Sequence, residues 1–451
     1  MSKVIVIGAG AAGLMCAAAA ASQGHRVTVY EKNEKAGKKI YITGKGRCNL
    51  TNDCEPEEFL ARVARNPKFL YSALYGFDQR RTMAFFEENG CRLKTERGQR
   101  VFPVSDHASD VTRALTECLR RQGVSVRYRT EVASLLLAEP GTETCRVQGV
   151  ILRDGTQVKA DAVVICTGGL SYPSTGSTGD GYRMAREAGH TILPTAPSLV
   201  PLTVAQEEWL SLQGLALKNV SVRVTPRPEK AEEPEQIRET PAAVETSDGV
   251  QEKGKGKSRK NGKKVKPVYT GFGELLFTHF GISGPLMLSA SAYCDFARYP
   301  QGFLMELDLK PAVTEEELTQ RLMREFALSP NKQFRNAILT LFPARLAERM
   351  AELAPFEAAR SVHTLQEGEI RRFVKLVKAV PIELTGTRDY PEAVITRGGV
   401  SVREINPSTM ESRRAQGLYF AGEVIDVDAL TGGFNLQIAW STGHLAGESI
   451  R

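Results

Sequence analysis

The chain has 451 residues, enough for two or three domains rather than one core. Its 42% hydrophobic and 25% charged residues are ordinary globular values, and no apolar run reaches the roughly 18 to 20 residues of a membrane span. A net charge of +7 invites a nucleic-acid partner, but the charge is segregated: residues 251–266 carry eight Lys/Arg and one acid, and 228–248 carry two bases and seven acids. With almost no large apolar residues, the tract 228–267 is expected to be a disordered, solvated loop, offering at most weak electrostatic contacts through 251–266. Cys16, Cys48, Cys54, Cys91, Cys118, Cys145, Cys166 and Cys294 show no C-x-x-C or zinc spacing, which fits a reducing cytoplasm and gives no dithiol centre. The six histidines show no metal spacing and there is no nucleophile elbow, so metal chemistry and Ser/His/Asp hydrolysis are set aside.

The apolar run Val4-Ile5-Val6-Ile7 leads directly into Gly8-Ala9-Gly10-Ala11-Ala12-Gly13 and an alanine-rich helix. The first glycine allows the tight strand-to-helix turn, the second lets a pyrophosphate approach the backbone, and the third lets helix and strand pack closely. The helix N-terminus adds free N–H groups and positive dipole for the phosphates. Ala17 to Ala21 could belong to a signal peptide, but these glycines and the second strand, Arg26 to Tyr30, argue against it. Glu31 lies 18 residues beyond Gly13, where a carboxylate can accept from ribose hydroxyls and disfavours a 2′-phosphate. This is a dinucleotide site, with FAD and NAD still to be separated.

Helical stretches are expected around 56–89, short strands at 91–94 and 101–103, a helix over 106–122 and a strand over 124–128. Residues 131–137 and 148–153 read as a hairpin leading into 157–159, and Ala162 to Cys166 as a strand buried on both faces. Between about 195 and 310 short alternating strands suggest a small β-barrel or sandwich. Residues 314–378 are helical in pattern. The end returns to α/β, with a strand over 417–423 and a helix from Gly433.

Three further segments favour FAD. Gly37 to Asn52, rich in glycine and cations, suits a loop that follows a long anionic cofactor. Thr167-Gly168-Gly169, with Thr175 to Gly181, ends a strand beside the dinucleotide. Ala421-Gly422-Glu423 is followed by Leu430-Thr431-Gly432-Gly433-Phe434-Asn435. There a carboxylate can hold the ribityl chain, and a helix N-terminus can face the N1–C2=O edge of a flavin.

With "GKGRCNLTN" at Gly44 to Asn52, "GELLFTHFGISGP" at Gly273 to Pro285, "GGVSVREINPSTMES" at Gly398 to Ser412 and the long run from Gly417 to Gly447, the chain resembles the BaiN-type NAD(P)/FAD-dependent oxidoreductases, also known as aminoacetone-oxidase-type FAD-binding enzymes. The resemblance runs nearly end to end. It implies an α/β fold with a glutathione-reductase-type FAD-binding Rossmann domain, split in sequence, and an inserted β-barrel-like and helical module. The domains expected are 1–194 with 391–451 for FAD, 195–311 with 379–390 for the barrel, and 312–378 for the helices. It also implies a non-covalent FAD, adenine contacts near Val132, and flavin contacts from the Arg47 and Gly433 regions. The expected cofactor-binding residues are thus Gly8, Gly10, Ala12, Gly13, Glu31 and Lys32, then Gly44, Gly46, Arg47, Cys48 and Asn49. Val132, Thr167, Gly168, Gly169, Gly422, Glu423, Gly432, Gly433, Phe434 and Asn435 complete the set.

The resemblance implies reduction of unsaturated carbonyl compounds, steroid-like molecules among them. One GxGxxG means no dedicated nicotinamide domain, so NAD(P)H is expected to dock transiently as donor. The expectation is a cytoplasmic FAD oxidoreductase whose flavin N5 passes hydride to an electron-poor C=C in a cleft between the FAD domain and the insert. Arg47 is a candidate for stabilising an enolate or the reduced flavin, or else for neutralising pyrophosphate. His279 is a candidate proton donor, or else a structural histidine. Tyr41, Asn49 and Asn435 are possible hydrogen-bond partners. The rivals are an oxidase or dehydrogenase of a small amine or alcohol, an RNA-associated flavoprotein using the Lys253 to Lys266 tract, and a flavin-binding module without turnover.

Overall fold

The computed structural model describes residues 1–142, 145–227 and 266–451. The charged tract expected over 228–267 lies, through residue 265, outside the described residues. The chain forms two compact units, one of residues 1–218, 273–294 and 386–451 and one of 219–272 and 295–385.

The first unit is built on five parallel strands: β1 (Lys3–Ile7), β2 (Arg26–Tyr30), β3 (Ser125–Arg127), β4 (Ala162–Ile165) and β5 (Leu418–Phe420), in the spatial order β5-β4-β1-β2-β3. The pairings Val6 with Val164 and Val164 with Tyr419 bring strands from the two ends of the chain to either side of β4. Strands β1, β4 and β5 are buried on both faces, as suits a parallel sheet covered by helices. Helix α1 (Ala11–Ser22) and helix α2 (Phe434–Ser449) pack together through small residues. A Cβ on Gly443 would lie 2.4 Å from Ala12 O, and one on Gly447 2.4 Å from Cys16 O. The alanine run of α1 is therefore the partner that glycines in α2 require. The first unit also holds the hairpin Val132–Ala138 with Arg146–Leu152, extended by Gln157–Lys159.

Six strands close a barrel in the order Leu202–Val204, Gly281–Ser283, Tyr269–Phe277, Ala216–Pro226, Phe303–Asp308 and Val380–Thr387. Strand alternation puts Val220, Val222 and Val224 inside and Arg223 outside. In the second unit the helices Glu315–Ala327, Ala344–Glu352 and Glu367–Lys378 surround Phe334, whose ring lies 4.7 Å from that of Phe356 and 4.8 Å from that of Phe373. Thr314 opens the first of them with a reciprocal cap to Glu317.

Two segments differ from the sequence expectation. The stretch 195–310, expected as strands, contains the helix Pro285–Ser291, started by proline at its first position after Gly284 at φ 93°. The expected loop Gly37 to Asn52 contains the helix Lys38–Ile42, followed by left-handed backbone at Gly44, Lys45, Gly46 and Cys48. A side chain on Gly44 would come within 2.9 Å of Asn49 N, so the run can fold this tightly only with glycine there.

Candidate cofactor site

A cavity of about 530 Å³ within the first unit runs past the β1–α1 turn, from Glu31 and Val132 at one end to Gly432 and the N-terminus of α2 at the other. The three turn glycines have three different environments. A Cβ on Gly8 would lie 2.7 Å from Cys166 O and one on Gly13 1.9 Å from Gly8 O, whereas one on Gly10 would meet nothing within 4 Å. Gly8 and Gly13 are needed by the fold itself. Gly10 lines the cavity, and its missing side chain serves whatever lies there.

Glu31 is buried at the end of β2, with its carboxylate held in place from two sides. Oε2 accepts from the Ala9 N–H at 2.8 Å, and Oε1 from the Asn33 N–H at 2.8 Å and from its amide at 2.7 Å. A carboxylate has about four acceptor positions, so one is left toward the cavity. Lys32 is paired with Asp180 at 2.6 Å beside the Asn33 contact to Thr175 O.

At mid-cavity Glu423 accepts from Lys39 Nζ at 2.5 Å, Ser171 Oγ at 2.5 Å and Thr396 N at 2.8 Å. Gly169 permits this cluster: a Cβ there would lie 2.4 Å from Thr396 Oγ1. Tyr172, next in the chain, lines the cavity with φ 50° and ψ 62°, a strained conformation for a bulky residue, and its N–H donates to Tyr390 O at 3.1 Å. Burial and the nearby Glu392 carboxylate raise the Tyr172 phenol above its ordinary range, so it stays protonated at neutral pH.

At the far end α2 begins after Gly433, which is left-handed (φ 98°) and whose Cβ would lie 2.4 Å from Thr51 O. With its amide turned to satisfy both atoms, Asn49 accepts from Gly433 N at 3.1 Å and donates to Thr51 O at 3.2 Å. Asn435 is bound through both amide atoms to the backbone of Ala429, at 2.9 and 2.7 Å. No side chain caps α2, so its first N–H groups face the cavity with the positive end of the helix dipole. Leu199, Leu288, Val394, Ile395 and Leu430 give this end an apolar lining.

Most of the residues expected at the cofactor line this cavity: Gly8, Gly10, Ala12, Glu31, Lys32, Gly44, Asn49, Val132, Thr167, Gly168, Gly422, Glu423, Gly432, Gly433 and Asn435. Gly13 and Gly169 support it from behind. Phe434 turns away and packs edge-on against Phe59 at 5.1 Å. Gly46 and Cys48 belong to the left-handed run without lining the cavity, and burial pushes the Cys48 thiol up to about 12. Arg47 does not line the cavity either: its guanidinium binds Glu96 at 2.5 Å and Asp106 at 2.6 Å and lies 4.2 Å over the Phe102 ring. His279 is exposed at the turn between Tyr269–Phe277 and Gly281–Ser283, edge-on to Phe280 at 4.8 Å and outside the cavity lining. All eight cysteines are buried and free. Among the described residues no three His, Cys, Asp or Glu gather as a metal site, and no helix is long and apolar enough to cross a membrane.

Sequence reasoning missed Lys39, Ser171, Thr396, Tyr172 and Asp428. Asp428 is fully buried between the lining residues Val427 and Leu430. It accepts from Ser198 Oγ at 2.9 Å and stands 3.3 Å from Arg65 Nε without hydrogen-bond alignment. Burial raises its pKa to about 6 from an ordinary 3.8. A carboxyl raised in the folded state stabilises below its unfolded pKa, and that contribution is lost as pH rises through the folded value. Asp428→Asn should therefore gain stability relative to the wild type between about pH 4 and 6, by roughly 3 kcal/mol at most. Urea unfolding at pH 4, 5, 6 and 7 measures the difference, and a constant offset across that range would contradict the assignment.

The residues present fit an extended dinucleotide such as FAD: clear backbone at Gly10 for the pyrophosphate, a fixed acid for the ribose, and a helix N-terminus at the opposite end. Gly10→Ala should leave the apoprotein's melting temperature unchanged while weakening FAD retention at least tenfold, and Gly13→Ala should lower both. Flavin absorbance after gel filtration, read beside thermal melts, separates the two outcomes.

Comparison with known proteins agrees with this geometry. The HI0933-like protein Rossmann domain matches residues 2–449. A 3-dehydro-bile acid delta(4,6)-reductase of Clostridium scindens is 30% identical over 452 residues, covering 100% of this chain and 99% of that protein. A ribosomal RNA dihydrouridine synthase of Escherichia coli is 31% identical over 447 residues, covering 99% and 97%. The solved structure of a 3-ketosteroid delta1-dehydrogenase from Sterolibacterium denitrificans aligns over 99% of this chain and 98% of its own, with 15% identity and a TM-score of 0.49. The chain belongs to the HI0933-like Rossmann family of FAD-dependent oxidoreductases.

Proposed function

We propose that this protein reduces a carbon–carbon double bond conjugated to a carbonyl. The observation that carries the reading is the uncapped N-terminus of α2, set in an apolar end of the same cavity that holds the dinucleotide features. A dipole there favours negative charge, which is what two-electron reduction of a flavin ring produces. Bound FAD would supply hydride to the substrate's β-carbon, after being reduced by NADH or NADPH docked transiently.

The named relatives support the substrate class. One acts on a bile acid bearing a 3-oxo group and 4,6 double bonds, and the other makes dihydrouridine, the saturated form of a base whose C5=C6 bond is conjugated to C4=O. Both are flat unsaturated carbonyl compounds that take up two hydrogens across a C=C bond. Leu199, Leu288, Val394 and Ile395 offer such a ring an apolar wall. Hydride addition leaves an enolate that needs a proton at the α-carbon. We assign that proton to Tyr172, a protonated phenol on strained backbone that lines the same cavity. Arg47 is held by Glu96 and Asp106, and His279 stands outside the lining, so in this reading neither takes the proton role.

The test is an anaerobic titration of the FAD-loaded protein. NADH or NADPH should bleach the oxidised-flavin band, and an activated enone should restore it. Tyr172→Phe should keep the bleaching but slow reoxidation by the enone 10²- to 10⁴-fold, the usual weight of general acid catalysis. Flavin that no enone reoxidises would end the proposal, and an unchanged rate in the variant would remove Tyr172 from it.

A further inference from the structure

Residues 173–179 run between two anchors in the packed part of the first unit. Before them Ser171 is fully buried, accepting from Lys39 Nζ and donating to Glu423 at 2.5 Å each. After them comes Gly181, where a Cβ would lie 2.2 Å from Thr167 Oγ1. Between the anchors Pro173 and Ser174 are exposed, and the backbone turns through left-handed Tyr172, Gly176 and Gly179, at φ 50°, 101° and 84°. Thr175, Gly176 and Ser177 line the cavity from this side.

Glu31, Lys32 and Asn33, at the end of β2, line the same cavity and reach across to this segment. The Asn33 amide nitrogen uses both its protons, one for the Glu31 carboxylate at 2.7 Å and one for Thr175 O at 3.1 Å. Gly176 permits that approach, since a Cβ there would lie 2.4 Å from Asn33 Nδ2. Lys32 Nζ donates to Thr178 Oγ1 at 2.5 Å and to Asp180 Oδ2 at 2.6 Å, and Thr178 Oγ1 donates to the same Asp180 oxygen at 3.1 Å. The ion pair is only partly buried. Because β1 pairs with β2 on one side and with β4 on the other, these contacts complete a ring of protein around this end of the cavity. The ring stands beside the acid that fits the ribose.

We infer that residues 173–179 are a strap latched by Lys32 over the adenosine half of FAD, and that opening of the latch sets how fast the cofactor enters and leaves. This depends on the fit of FAD to the cavity and not on the reaction proposed above. A dinucleotide threaded through a ring of protein cannot be drawn out sideways while the ring is closed. The sheet and the two anchors are held by close packing, whereas the latch consists of side-chain contacts from Lys32 to Thr178 and Asp180 and from Asn33 to Thr175 O. Contacts of that kind break locally without unfolding the core, and the glycines at 176 and 179 give the backbone room to swing. A gate of this sort slows entry and exit alike, because the same opening precedes both. A direct contact to bound cofactor slows exit alone.

The test uses the full chain and reads two rates. Release is followed by exchange of bound FAD against excess radiolabelled FAD, and uptake by the flavin signal on mixing apoprotein with FAD. Lys32→Met and Asp180→Asn should each raise both rates roughly tenfold, the weight of a charge-assisted hydrogen bond, and the double variant should go no further than either. Thr178→Val removes one latch contact at an exposed residue outside the cavity lining. It should raise both rates about threefold, as loss of a single surface hydrogen bond allows, with the apoprotein's melting temperature unchanged. Unchanged rates in these variants would overturn the inference. So would faster release with uptake unchanged, which would make Lys32 a direct contact of the cofactor and not a latch. Neither measurement involves enone reduction, so the strap and the proposed reaction can fail independently.

Discussion

The structure turns on the crowding around Ala12. Gly8 and Gly13 close the first turn of the nucleotide unit on each other, and a Cβ on Gly422 would stand 2.7 Å from Ala12 Cβ while one on Gly443 would stand 2.4 Å from Ala12 O. A residue near the start of the chain is thus enclosed by two from its last thirty or so. Because β4 pairs with β1 on one edge and β5 on the other, the phosphate turn, Glu423 and the N-terminus of α2 are all referred to a single rigid sheet. Close backbone contact tolerates no added methylene without a shift, so the positions of these groups are set by packing, independently of any ligand. A preorganised cavity of that kind adds little reorganisation to the binding of a long cofactor.

Electrostatics then divides the cavity into parts with different tasks. Glu31 and Glu423 are buried or nearly so, and each is bound by donors from separate segments, which fixes their orientation. The Lys39–Glu423 contact has a nearly buried carboxylate, whereas the Lys38–Glu34 pair has its carboxylate in solvent and is worth little to stability. Their effect is on the field: pairing cancels the charges of Lys32, Lys38 and Lys39 along the cavity.

What the sequence discloses is local. The turn glycines, the acid at the end of β2 and the glycine-opened helix at the C-terminus each need only a few neighbouring residues to be recognised, and the parallel sheet follows from apolar runs of the right length. The Lys39, Ser171, Thr396 and Glu423 cluster joins segments up to 384 positions apart, and no pattern in any one of them announces it. The same holds for Asn52, which bonds to Gly98 and Gly432 across 46 and 380 positions. Arg47 shows the converse difficulty. Its place in a glycine-rich, cationic run points to the cofactor, but the carboxylates that bind it come from Glu96 on a hairpin and Asp106 just past it, 49 and 59 residues later. Tyr172 is invisible for another reason, since a left-handed backbone at tyrosine is imposed by the packing around it and not by its own preference.

The groups around the cavity and the exposed hairpin tip differ in how firmly packing holds them. The groups that line the inner cavity are built into the sheet and its two flanking helices, where Gly8, Gly13, Gly422 and Gly443 leave no room for a side chain. Arg97 and Arg100 sit on a three-residue hairpin turn, exposed, with only the backbone of the tip committed to Asn52 and Asp53. Side chains there can be exchanged without cost to the core, while the tip stays beside Gly432.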